Sequence, residues 1–146
     1  MLNELDNQKM HIVISTLEGL RQLLDEGFIK AEGCVFLKQL YGPSVMNTRL
    51  NHQDLTGYEC FVNHIHIEDF IDVNDLKKIN VLQYGIFFSQ RLKDKLATIY
   101  PEEKFRIILA CDIDDCNVRF HKVRPNEEWI DDNIERYNEA VMIFNI

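Results

Sequence analysis

FRIILACDIDDCNVRFHKV, residues 105–123, is the stretch on which the fold turns. Residues 105–111 are dense in Ile and Leu, Asp112, Asp114 and Asp115 mark a turn, and the segment from Cys116 alternates through Val118, Phe120 and Lys122. Two strands joined by a short polar turn are the economical account, so this stretch is expected to form an antiparallel hairpin. Upstream the period is different. Leu76, Ile79, Leu82, Ile86, Leu92, Leu96 and Ile99 recur at helical steps, which predicts a helical region over residues 74–99. Asp72 and Asn74 are its capping candidates, Asn80 and Gly85 its weak points. Tyr100-Pro101 closes it, because the residue before proline is biased away from helical angles. Downstream, Pro125-Asn126 breaks the second strand, and the apolar residues 140–146 read as a further strand.

Toward the N-terminus, Met10, Val13, Ile14, Leu17, Leu20, Leu24 and Phe28 lie on one stripe of an amphipathic helix. Ser15 and Glu18 have the capping-box spacing, so the helix is expected to start there rather than near Leu5, and Gly27 stands where it would end. Residues 34–40 are apolar but too short to assign to strand or helix. Residues 44–57 read as a loop, and residues 58–67 as a strand with Phe61, Asn63, Ile65 and Ile67 on one side and Val62, His64, His66 and Glu68 on the other. No repeat or linker divides the chain. Its 146 residues and 46% hydrophobic content are those of one folded domain. The expected architecture is therefore a single α+β domain, residues 1–146, with an antiparallel sheet packed against helices.

Charge and cysteine usage narrow the function classes. The net charge is −8, and residues 111–146 carry nine acidic against four basic side chains. An acidic surface disfavours direct nucleic-acid binding and suits a basic protein partner. The basic runs, Lys77-Lys78 and Arg91, Lys93, Lys95, have acidic neighbours and read as solvated helix faces. No window approaches the roughly 18 apolar residues of a membrane span, and the acidic start is unlike a secretory signal, so a cytoplasmic location is expected. Under that expectation Cys34, Cys60, Cys111 and Cys116 read as buried free thiols rather than a disulfide framework.

Four constellations resemble chemistry. His64, His66 and Glu68 project from one face of the expected strand, an H-x-H pattern with a carboxylate as in some β-barrel metal sites. A cupin's second motif, with its own histidine, is absent, and alternation with core-facing Ile65 and Ile67 already explains the two histidines. No bound metal or cofactor is expected. Cys111 or Cys116 with His121 would make a nucleophile and base, but the neighbouring aspartates raise a thiol pKa, the wrong direction for catalysis. The same aspartates suit a turn better than a carboxylate pair for glycoside hydrolysis or Mg2+. Without a phosphate loop or a nucleophile elbow, the chain is not expected to be an enzyme. Trp129, between Glu127-Glu128 and Asp131-Asp132, fits either a core anchor or an interface hot spot.

The C-terminal quarter, from Phe120-His121-Lys122-Val123-Arg124-Pro125-Asn126-Glu127-Glu128-Trp129 through Asp131-Asp132-Asn133-Ile134-Glu135-Arg136-Tyr137 to Val141-Met142-Ile143-Phe144, resembles the ends of small bacterial immunity proteins encoded beside secreted or contact-delivered toxins. The resemblance implies a cytoplasmic inhibitor that binds one cognate toxin domain and blocks its active site. A basic toxin such as a nuclease is the expected partner, met by Asp112, Asp114, Asp115, Glu127, Glu128, Trp129, Asp131 and Asp132. The alternatives are a regulatory or structural binding protein, and a small metal-dependent enzyme using His64 and His66.

Overall fold

A computed structural model describes residues 4–72, 74–76, 80–113, 115–129 and 140–146. The hairpin is present: β4 (Phe105–Cys111) pairs antiparallel with β5 (Cys116–Lys122), in a register running from Phe105 opposite Lys122 to Cys111 opposite Cys116. β6 (Ala140–Asn145) lies antiparallel on the other side of β4, and β3 (His64–His66) on the outer side of β5, giving a sheet ordered β3-β5-β4-β6. A separate two-stranded sheet joins β1 (Phe28–Ala31) to β2 (Cys34–Leu37). Its two-residue turn, Glu32 at φ 54° and Gly33 at φ 81°, has the left-handed conformations that match the twist of paired strands.

Three helices complete the described fold: α1 (Glu4–Asp25), α2 (Leu55–Val62) and α3 (Val81–Ile99). α1 and α3 cover one face of the large sheet. Leu20, Leu23 and Leu24 of α1 and Phe88, Leu92 and Leu96 of α3 meet Phe105, Ile107, Leu109, Val118 and Phe120 in the main core. α3 lies so close to the sheet that a Cβ on Gly85 would stand 2.8 Å from Leu109 Cδ1 and 2.9 Å from Cys116 Sγ. Gly85 therefore does not break the helix; it lets the helix approach the strands. The architecture is α+β, an antiparallel sheet packed with helices in one domain. No described helix is long and apolar enough to cross a membrane.

Local expectations are corrected at several points. Residues 58–67 are not one strand: α2 runs through Val62, and only His64–His66 is extended. Asp54 starts that helix by accepting the Gly57 N–H at 2.6 Å, so part of the expected loop 44–57 is its cap and first turn. α3 begins at Val81, with the Asn80 side chain accepting from the Leu82 N–H at 3.0 Å; Asp72 accepts the Asn74 N–H in a local turn instead. α1 starts at Glu4, well before Ser15, and ends before Phe28, which belongs to β1. Cys111 and Cys116 are not free thiols. They face each other at the end of the hairpin and are joined by a disulfide, whereas Cys34 and Cys60 are free and buried.

α2 ties the two sheets together with polar side chains. Asn63, fully buried, accepts the Leu37 N–H at 3.0 Å and donates to Val35 O at 2.8 Å and Phe120 O at 3.4 Å. Glu59, also fully buried, accepts the backbone N–H groups of Val35 and Lys122 and both terminal nitrogens of Arg124, at 3.0 and 3.1 Å. The edge of β2 and the end of β5 are thereby satisfied by a helix rather than by another strand.

Candidate functional site

Alternation along β5 sends Val118 and Phe120 into the core and Asn117, Arg119 and His121 to the opposite face. α2 covers the His121 end, where the imidazole is 3% exposed. Toward the hairpin tip that face continues as Arg119 beside His64 and Asn117 beside His66, a register set by pairing with β3. The candidate site is this strip, from the tip to the segment after β5.

At the tip, the Asp112 N–H donates to Asp115 O at 2.7 Å and the Ile113 N–H to Asp112 Oδ1 at 2.8 Å, closing the turn and leaving Ile113 87% exposed. Asp112 and Asp115 are exposed acids, while Asp114 lies outside the described residues. Beside them, the 3-10 turn Ile67–Phe70 swings Glu68 under the strand: Oε2 accepts the Cys116 N–H at 3.1 Å and Oε1 lies 3.2 Å from His66 Nδ1. The His64 and His66 rings stand 4.1 Å apart. Burial, reinforced by the Arg119 and His66 charges, pushes His64 down to about 4. Ile65 and Ile67 are buried, so the histidines do occupy the outer side of that short strand.

At the other end, Trp129 is 42% exposed and no core anchor. The Arg119 guanidinium lies 5.0 Å from its ring centroid and is itself held by Cys60 O at 2.9 Å. Such a cation on an aromatic face holds the indole in place at the surface. Phe61 is 54% exposed on α2, with His52 packed 4.8 Å from it. Glu128 is exposed. Glu127 is engaged within the chain: it accepts the Thr56 N–H at 3.1 Å and forms a bridge with Arg124, so it secures the segment against α2. Asp131 and Asp132 lie outside the described residues.

The four cysteines are not placed as thiolate nucleophiles. Burial pushes the Cys34 thiol up to about 12 and raises Cys60 further, while Cys111 and Cys116 are consumed in their disulfide. Phe61, expected on the core-facing side of a strand with Ile65 and Ile67, is exposed because that segment is helical, and nothing in the spacing of Arg119 links it to Trp129.

Over residues 1–146 the chain matches the family model described as the Uncharacterized protein PM0498 family. It is similar to a Pasteurella multocida (strain Pm70) protein described as Uncharacterized protein PM0498, with 33% identity over 138 residues, 87% of this chain and 82% of the relative. No solved structure matches it significantly. A match along the full sequence, with a relative of comparable length, makes this chain a member of the PM0498 family.

Proposed function

We propose that the protein is an immunity-type inhibitor, binding a basic toxin domain such as a nuclease through the strip between the hairpin tip and Trp129. The observation that carries this reading is Trp129 itself, an exposed indole fixed by Arg119. Ordering a large side chain before the partner arrives lowers the entropy cost of binding, and tryptophan is the residue type most enriched at interface hot spots. The acidic tip supplies the complementary element. Asp112 and Asp115 are exposed beside a protruding Ile113, an arrangement able to steer a basic cleft onto the strip.

The test is binding kinetics against the product of the neighbouring gene, at low and high ionic strength. Trp129→Ala is expected to cost about 2 kcal/mol or more, mainly as faster dissociation. Replacing Asp112, Asp114 and Asp115 together by Asn is expected to slow association and flatten its salt dependence. A wild-type complex that tolerates Trp129→Ala and is indifferent to salt removes the strip from the interface. Failure to bind the neighbouring product favours a regulatory role with another partner.

A further inference from the structure

The same register that aligns β3 with β5 assembles a group of metal donors from distant parts of the chain. His66 pairs with Asn117, so Asp115, two residues before Asn117, returns to the face that carries the imidazole. Glu68 enters from the 3-10 turn. One donor atom from each of His66, Glu68 and Asp115 lies within 4.8 Å of the others. The sequence shows only His64, His66 and Glu68 at strand spacing; the acid from the turn changes the reading.

Three features favour a cation there. Two carboxylates converge on one imidazole, and among the described residues neither is in an ion pair with a lysine or arginine. The Cys116 N–H fixes Glu68 Oε2 and so turns Oε1 toward His66. His64, its ring 4.1 Å from that of His66, has a buried Nε2 without a hydrogen-bond partner among the described residues.

We propose that His66, Glu68 and Asp115 form a binding site for a divalent transition-metal ion. Mixed imidazole and carboxylate donors suit Zn2+, then Mn2+, better than the all-oxygen preference of Mg2+. Ligand bonds of about 2.0–2.2 Å require the donors to draw inward. Asp115, on an exposed turn, is free to make that movement, and water completes the coordination from the solvent side. The proposal does not depend on any protein partner.

Isothermal titration of the full-length protein, stripped of metal, with Zn2+, Mn2+ and Mg2+ tests it. The expected result is one Zn2+ per chain, weaker Mn2+ and no Mg2+ heat, with His66→Gln and Asp115→Asn each weakening Zn2+ by about 100-fold. Asp115→Asn alters only an exposed turn, so circular dichroism is expected to show an intact fold. Asp69→Asn, on the neighbouring exposed acid, is expected to leave binding unchanged. Equal Zn2+ affinity in wild type and Asp115→Asn, or no stoichiometric Zn2+ in wild type, overturns the site and leaves adventitious surface binding only.

Discussion

Replacing Glu59 by Ala tests whether the helix α2 is the clasp between the two sheets. Glu59 is 0% exposed, and its Arg124 partner has a side chain only 11% exposed. The substitution removes the acceptor of two backbone N–H groups, those of Val35 and Lys122, and the counter-charge of Arg124. Breaking a buried ion pair from one side costs about 3–5 kcal/mol, and each buried donor left unpaired about 1–3 kcal/mol. These costs share the same atoms and do not add fully, because Arg124 keeps Gly33 O at 3.1 Å and Thr56 Oγ1 at 3.2 Å. A total near 5 kcal/mol follows, a third or more of the stability of an ordinary domain. With an unfolding entropy of about 2.1 cal/mol/K per residue over 146 residues, that is a fall of ~16 °C in Tm. Urea unfolding followed by circular dichroism measures the free energy, and a thermal melt measures the shift in Tm. The double variant Glu59→Met with Arg124→Met separates the parts: removing both charges is expected to recover about 2 kcal/mol relative to Glu59→Ala, while the two orphaned N–H groups keep the rest lost. A Glu59→Ala cost below about 1.5 kcal/mol refutes the clasp.

Two further outcomes follow from burial. Gly85→Ala places a Cβ 2.8 Å from Leu109 Cδ1 and 2.9 Å from Cys116 Sγ, so these buried side chains or α3 must shift; despite the better helix propensity of Ala, a loss of about 1–2 kcal/mol in urea unfolding is expected, and a stabilised variant disproves the close packing. Burial lowers the pKa of His121, which faces Glu59, Arg106 and Arg124 and whose Nδ1 donates to Lys122 O at 2.7 Å. The imidazole is therefore neutral in the fold and gains a proton more readily in the unfolded chain. Its contribution is fully present above about pH 6.5 and is lost as pH falls from there through the lowered folded value. Wild type is expected to lose more stability than His121→Gln between about pH 7.5 and 5.5, and parallel pH profiles of the two proteins contradict it.

The large elements were legible where hydrophobic period matched geometry. The hairpin announced itself because residues 105–111 and 116–122 are long enough to show a strand pattern, and Pro101 separates them from the helical period of α3. α2 was illegible for a physical reason. Phe61, Ile65 and Ile67 fall at strand spacing, yet Phe61 is 54% exposed and Tyr58, Cys60 and Val62 are the buried apolar residues, while Glu59 and Asn63, one helical turn apart, point inward as hydrogen-bonding groups rather than outward as polar ones. An inward polar face erases the amphipathic stripe on which helix recognition depends. The hairpin of β1 and β2 escaped notice because four-residue strands carry too little pattern, although Glu32-Gly33 supplied turn chemistry. The candidate site was half visible: Trp129 and the turn acids stand out in the sequence, but the neighbourhood of Asp115 and His66 exists only through strand register.

The formal charge of −8 overstates how much acid a partner can meet. Glu59 is sealed between β2, β5 and Arg124; Glu32 accepts the hydroxyls of Tyr41 and Tyr58 at 2.7 and 2.6 Å; Glu103 is held by Lys30 at 2.9 Å; Glu127 caps α2. Each serves the fold: Glu59 and Glu103 are compensated at close range by Arg124 and Lys30, and Glu32 and Glu127 are turned onto donors within the chain. Asp112, Asp115 and Glu128, by contrast, are exposed around the strip that Trp129 anchors. Steering depends on uncompensated charge near the docking patch, not on the net count, because screening removes contributions beyond about 8–10 Å at ordinary salt. The salt sensitivity of association is therefore expected to follow the few acids of the tip, so that neutralising a distant exposed carboxylate such as Glu4 leaves the on-rate unchanged even though it alters the net charge by the same amount.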